Sequence, residues 1–304
     1  MSGKQWWQVF RDTGQRFIEG QAFVYSSSIA YFAIFSLPAM ALITVMIAGS
    51  FYENESVKSG MLTQISQMAG PNSAQEVERL MDKVTHKSEN ALAKIISIVT
   101  LIFSATTVFV TLQNSINAIW GIKPKPEKGI LKFLINRLLS LAMIASLGFL
   151  VLISLVSDTL IALFRTFIYQ YFTGLAYYLL WFLNTLISST LIATVFALIY
   201  MVLPDAKIKW RYVWVGAVIT TILFILGKYL IGLYLNTNNF SESYGAAGSL
   251  VALLAWVYYS VLILLFGAEF TCSYTKQLGG IIKPSDQAVA IKIEEIEEEV
   301  SSMD

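Results

Sequence analysis

Two charged side chains lie in stretches of the sequence that are otherwise apolar. Lys228 follows a run without charge from 212 to 227, and Glu269 ends another from 243 to 268. Ionisable residues in such stretches are costly in a bilayer and often mark a substrate or ion pathway. Both lie toward the ends of their runs, so a long side chain that only reaches the membrane interface is the competing interpretation. The sequence leaves both interpretations open.

If the two runs form consecutive antiparallel helices, Lys228 and Glu269 do not face each other. Lys228 lies about 24 Å along its helix from Tyr212, at 1.5 Å per residue, whereas Glu269 returns to the starting side. The predicted partners of Lys228 are polar residues of the outer side, namely Asp158, Glu242 and Tyr244. The predicted partners of Glu269 are cations of the inner side, namely Arg137, Lys209 and Arg211.

Amide side chains cluster near the end of another apolar run. Asn114 and Asn117 are three residues apart, so they share a face of a helix. Amides in a membrane helix bond neighbouring helices, which is the expected role here. A polar vestibule lined by the two amides is the alternative.

No combination of residues in the chain resembles a catalytic site. His86 and Cys272 are the only residues of their types, and His86 stands among charged residues. Phosphate-binding loops, paired histidines at helical spacing and grouped acidic ligands are missing from the sequence. We therefore predict no catalytic residue, no metal and no cofactor. The net charge of +1 gives no support to a nucleic-acid partner.

The elements that carry these residues are transmembrane helices. Of the 304 residues, 56% are hydrophobic and 13% are charged, against about a quarter charged in soluble domains. The uncharged runs predict six spans in an all-α polytopic bundle. Their approximate limits are 29–51, 95–122, 138–157, 178–203 and the two arms of a hairpin over 210–270. Pro38 lies inside the first span and favours a kink.

Three regions follow from this pattern. Residues 1–28 form a cytoplasmic amphipathic segment whose stripe of Trp6, Phe10 and Phe17 suits a helix lying on the membrane. Residues 29–271 form the six-helix domain, and 272–304 form an acidic tail predicted to be disordered. Lys and Arg number fourteen on the N-terminal side and five on the other, which places both termini in the cytoplasm.

Small residues recur at helical spacing where the predicted hairpin turns. Gly245 and Ser249 are four apart, and Gly248 begins a second row. Small residues every four positions let helix backbones approach closely in a membrane. We therefore predict close packing at this turn.

Several segments resemble the YihY/virulence factor BrkB family of inner-membrane proteins. They are AYFAIFSLPAM, LQNSINAIWG, YMVLPDAKIKWRYVWVGAV, GKYLIGLY, SYGAAGSLVALLAWVYYS and FGAEF. The resemblance covers about 20–275 and implies a bacterial inner-membrane protein with six spans. Leu37-Pro38-Ala39 departs from the bulkier apolar pair usual around this proline. Members once carried the label ribonuclease BN, although this chain lacks grouped nuclease ligands.

Composition and resemblance together predict a protein that transports or hands over an amphiphilic envelope molecule such as a lipid. Asn114 and Asn117 would line its polar path on the inner side, and Lys228 and Tyr244 on the outer side. A non-transporting scaffold subunit is the main alternative, and a membrane-bound ribonuclease is a remote one. Membrane lipids are the expected partners, with a homo-oligomer or an envelope complex left open.

Overall fold

The computed structural model describes residues 2–50, 53–85, 91–125, 135, 137–146, 149, 153, 175–237 and 248–291. The helices are α1 (Gly3–Glu19), α2 (Ala22–Ala48), α3 (Asn54–Ala69), α4 (Pro71–Thr85), α5 (Ala91–Ile119), α6 (Arg137–Ser146), α7 (Leu175–Val202), α8 (Trp210–Thr237) and α9 (Gly248–Gln277). The strands are β1 (Ile122–Pro124), β2 (Ala206–Lys207), β3 (Lys283–Pro284) and β4 (Ala288–Ala290).

Long apolar helices confirm an all-α membrane protein. Among the described residues, four segments are long and apolar enough to cross a membrane: Ala22–Ala48, Thr185–Val202, Trp210–Ile231 and Leu250–Gln277. Helix α5 has 29 residues and packs along α2. Of the third predicted span, the structure describes α6 and little else. The count of six spans is therefore not tested by the described helices.

Helix α9 is the centre of the bundle. It packs against α8, α2, α1 and α4, and α7 packs against α8. The outward side of α8 carries exposed apolar residues at every fourth position: Trp214, Val218, Ile222, Leu226 and Leu230. Residues four apart lie on one helix face, and an exposed apolar stripe of this length suits contact with lipid.

Helix α1 forms as predicted, but its aromatic stripe faces protein. Ser2 caps the helix by a reciprocal capping box with Gln5. Trp6 stacks on Phe270 and Tyr274 of α9, at centroid distances of 6.3 and 5.6 Å. Phe10 of the stripe stays 40% exposed, so contact of α1 with the membrane stays a prediction. The end of α9 offers a complementary row of rings, which the periodicity of α1 alone does not reveal.

The connection between the first two long helices is a helical hairpin. The segment QEVERLMDKVTHK alone predicts one short exposed helix there, whereas the structure has two helices, α3 and α4. Lys58 of α3 lies 3.2 Å from a carboxylate oxygen of Glu78 and 3.4 Å from one of Asp82 on α4. Val77 and Met81 are buried, and α4 packs on α2 and α9. The hairpin is thus part of the fold.

The chain after α9 also belongs to the fold. Strand β4 pairs antiparallel with β1, and β3 pairs antiparallel with β2. The prediction of a disordered tail from residue 272 is therefore wrong as far as residue 291. The segments that follow α5 and α7 expose backbone groups that need partners, and the returning chain supplies them. The acidic residues 292–304 lie outside the described residues.

Candidate functional site

Lys228 lies far along α8 on a partly exposed face. Eighteen residues separate it from Trp210, which places it about 27 Å along the helix. Its neighbours Tyr229 and Leu230 are exposed, and Lys228 itself is half-buried. Within the described ranges, Lys228 forms no hydrogen bond or ion pair. Its predicted partners Asp158, Glu242 and Tyr244 lie outside those ranges, so their contacts stay predictions.

Glu269 is buried in α9 and pairs with α1. Its side chain is 7% exposed, and its Oε1 lies 3.7 Å from Nη1 of Arg16. The predicted partners Arg137, Lys209 and Arg211 are wrong. Docking of α1 on the end of α9 brings Arg16 to the carboxylate instead. The Arg16 side chain is 47% exposed, so the contact links α1 to α9 as a partly exposed ion pair, which contributes modestly to stability.

Arg137 and Arg211, two of the three cations predicted for Glu269, have other partners. Arg137 donates from Nη1 to the carbonyl of Phe103 at 3.0 Å and to the hydroxyl of Thr106, both on α5. Its guanidinium lies 4.1 Å from the centroid of the Phe103 ring. Arg211 donates to the hydroxyl of its neighbour Tyr212.

Asn117 and Asn114 separate into different environments. Asn117 is buried and donates from Nδ2 to a carboxylate oxygen of Asp205 at 2.9 Å. Its Oδ1 accepts from the backbone N–H of Asp205 at 2.8 Å. Asn114 is exposed. Asn117 therefore ties α5 to the turn after α7, and its bond to a neighbouring helix stays a prediction.

A close approach of two helices lies between α8 and α9, away from the predicted turn. A methyl group on Gly216 would overlap Thr271, and one on Gly267 would overlap Thr220 and the hydroxyl of Tyr200. Gly216 and Thr220 are four residues apart in α8, as are Gly267 and Thr271 in α9. The two pairs interdigitate in antiparallel order, each glycine facing a threonine. Four-residue spacing of small residues was the available signal for this contact.

Tyr200 of α7 joins the same contact. Its hydroxyl donates to the carbonyl of Leu264 at 2.8 Å and lies 2.9 Å from Oγ1 of Thr220. The ring is completely buried. Three helices therefore meet at one hydroxyl.

The predicted packing residues at the hairpin turn are only partly described. Gly248 is buried at the first position of α9. Ser249 lies in the helix, while Gly245 lies outside the described residues. Close packing at this turn stays a prediction.

Pro38 is buried inside α2, beside a polar contact to α5. The hydroxyl of Ser36 donates to the carbonyl of Ser104, and the hydroxyl of Ser104 donates to the carbonyl of Phe35, both at 2.6 Å. Pro38 cannot donate a backbone hydrogen bond in its own helix. The reciprocal serine contact joins the two helices within a turn of this break.

Among the described residues, the acidic and sulfur-bearing side chains do not assemble into a metal site. Groups of three or more His, Cys, Asp or Glu able to hold a metal are absent from the part of the chain that the structure describes. Cys272 is a free thiol and is buried. The polar side chains described above are engaged mainly in joining helices.

A bundle of long apolar helices with interhelical polar ties defines a polytopic α-helical membrane protein. The sequence profile of the virulence factor BrkB family matches residues 13–290. The chain belongs to this family. No solved structure matches it.

Relatives described as UPF0761 membrane proteins cover most of the chain. One from Alteromonas mediterranea is 28% identical over 252 residues, which are 82% of each protein. One from Aeromonas salmonicida is 26% identical over 278 residues, or 90% of each. One from Pseudomonas aeruginosa is 25% identical over 273 residues, and the match covers 86% of this chain and 62% of that relative. These names describe membrane proteins and give no activity.

Proposed function

We propose that this protein is a non-enzymatic inner-membrane protein that moves or hands over an anionic amphiphile of the cell envelope. It has six spans and cytoplasmic termini in this proposal. The observation that carries it is Lys228, a half-buried residue about 27 Å along α8 and without a partner among the described residues. A cation near lipid head groups contributes about 1 kcal/mol to attraction of an anionic lipid.

The surroundings of Lys228 favour an amphiphile over a small hydrophilic solute. Tyr229, next to Lys228, is exposed, and Leu226 and Leu230 lie on the exposed apolar stripe at the same depth of α8, so an acyl chain at this depth would remain in contact with hydrocarbon. A hydrophilic solute needs several fixed polar groups in its site. Asn117, the buried amide expected to line such a path, is already bonded to Asp205. This argument supports a lipid head group held by a cation while its tails stay in the bilayer.

Lipid movement between the leaflets of liposomes tests the proposal. We expect purified protein to accelerate exposure of a fluorescent anionic phospholipid to a membrane-impermeant quencher. Lys228→Glu should slow it by repelling the head group, and Lys228→Arg should preserve it. Lys4→Glu, which reverses an exposed charge on α1, serves as the matched control and should change little.

Two outcomes would overturn the transport proposal. One is a rate equal to that of protein-free liposomes when the protein is folded. The other is an equal rate for Lys228→Glu and Lys228→Arg. Either result would favour the scaffold function, in which the membrane domain binds other envelope proteins.

A further inference from the structure

Five exposed lysines gather where the short strands join the ends of the long helices. They belong to β1 and the residue after it, to the connection from α7 to α8, and to β3. We call this surface the basic rim, and its members are Lys123, Lys125, Lys207, Lys209 and Lys283. It lies at the end of the bundle that carries the last turn of α9.

Strand pairing forces two of these lysines together. Lys207 and Lys283 are directly opposite each other in the antiparallel pair of β2 and β3. Like charges at opposite positions destabilise a strand pair. The arrangement therefore favours an anion that lies against the rim.

Among the described residues, one carboxylate partly neutralises the positive charge of the rim. Asp286 lies 2.7 Å from Nζ of Lys207, and its backbone carbonyl accepts from Nζ of Lys125 at 3.2 Å. The hydrogen bond and the charge of Lys207 lower the pKa of Asp286, so this carboxylate stays ionised at neutral pH. For Lys123, Lys209 and Lys283, the described residues provide no ion pair.

The acidic end of the chain leaves the fold beside this rim. The N–H of Ile291 donates to the carbonyl of Gly121 at 2.8 Å, and Ala290 pairs with Ile122. The remaining segment, 292–304, contains one lysine and six acidic residues: Glu294, Glu295, Glu297, Glu298, Glu299 and Asp304. Thirteen residues reach up to about 43 Å when extended.

We propose that the acidic segment 292–304 docks on the basic rim of its own chain. The exit point supplies proximity, and the excess of acids matches the excess of lysines. Because both partners are at the surface, the attraction is screened by salt. The docked segment then excludes other anions, including lipid head groups, from the rim.

Lysine acetylation of the full chain tests this docking. The protein is placed in nanodiscs of neutral phosphatidylcholine, and the rates at Lys123 and Lys283 are measured by mass spectrometry. The comparison variant carries Glu→Gln at positions 294, 295, 297, 298 and 299. We expect both lysines to react several-fold faster in this variant, and also in the unaltered chain at about 1 M salt, where the Debye length falls to about 3 Å. Lys58 of α3, at the opposite end of the bundle, is the control for intact folding. Its acetylation rate should be the same in the variant as in the unaltered chain.

The lipid composition of the nanodiscs distinguishes two occupants of the basic rim, the acidic segment and anionic lipid. If Lys123 and Lys283 are each acetylated at the same rate in the variant as in the unaltered chain, the proposal is overturned. Protection that appears only in nanodiscs with phosphatidylglycerol, and equally in both proteins, would also overturn it, because the rim would then face anionic lipid. Slow acetylation of these lysines in neutral lipid that becomes faster when the glutamates are replaced supports docking.

Discussion

Asn117 shows how one buried amide can join parts of the chain that are far apart in sequence. It bonds both the side chain and the backbone of Asp205, 88 residues away. A hydrogen bond to a charged group contributes about 1.5–3 kcal/mol. The contact fixes the end of α5 against the turn that leads into α8, next to the strands that carry the basic rim.

We expect Asn117→Ala to lower the free energy of unfolding by about 1–3 kcal/mol, the usual range when a buried hydrogen-bonding partner is removed. Asn114→Ala is the matched control, because it removes the same kind of amide at an exposed position three residues before Asn117. Thermal unfolding in detergent measures both variants. Equal shifts for the two would contradict the structural role of Asn117.

The limits of sequence reasoning are visible in these two asparagines. Their spacing predicts helix-to-helix bonding and one shared role for both, whereas Asn117 bonds a turn and Asn114 is exposed. Only the position of the turn after α7 buries Asn117 and leaves Asn114 exposed. Arg16 illustrates the same limit, since its pairing with Glu269 depends on where α1 docks. Contacts between distant segments leave no local pattern in the sequence.

At the scale of helices, the α8–α9 contact depends on the absence of two side chains. Gly216 faces Thr271, and Gly267 faces Thr220 and Tyr200. Each threonine hydroxyl donates to the carbonyl of the glycine in its own helix, at 2.8 Å in α8 and 2.7 Å in α9. The threonines thus satisfy their hydroxyl groups internally, and close packing joins the helices.

We expect Gly216→Ala to destabilise the protein by about 1–3 kcal/mol, the cost of overpacking a tight contact. Gly14→Ala in α1 is the control, since a methyl group there meets no atom within 4 Å. That change should be neutral or stabilise by up to about 1 kcal/mol through helix propensity. Chemical unfolding followed by helical circular dichroism distinguishes the two. A neutral Gly216→Ala would show that α8 and α9 are not held at this distance.

Helices themselves are more predictable than the surfaces they bury. The fourth predicted span, 178–203, corresponds to α7 at 175–202, and the first, 29–51, begins seven residues later than α2. The wrong expectations concern partners. An aromatic stripe such as that of α1 suits lipid and protein equally well, and short strands such as β3 and β4 form only because β1 and β2 are present. Which face a helix buries and which strands pair therefore depend on tertiary contacts.

For the whole molecule, the helices separate two ends of the bundle. The N-terminal helix α1 packs along the last turns of α9, from Phe266 to Tyr274. Helix α2 then runs 27 residues, about 40 Å, before the α3–α4 hairpin begins. That hairpin and the basic rim therefore lie at opposite ends. The excess of lysine and arginine at the α1 end favours its location in the cytoplasm.

The buried state of Cys272 allows this orientation to be tested with single cysteines. In a Cys272→Ala background, we expect Ser59→Cys on α3 to react with an impermeant maleimide in spheroplasts with intact inner membranes. Leu278→Cys, after the end of α9, should react only once that membrane is opened. Both positions are exposed in the fold, so access to each depends on the side of the membrane. The Cys272→Ala chain alone controls for background labelling.

Labelling of Leu278→Cys in intact spheroplasts, with Ser59→Cys protected, would reverse the orientation. Labelling of both would mean that the two ends are not separated by the bilayer.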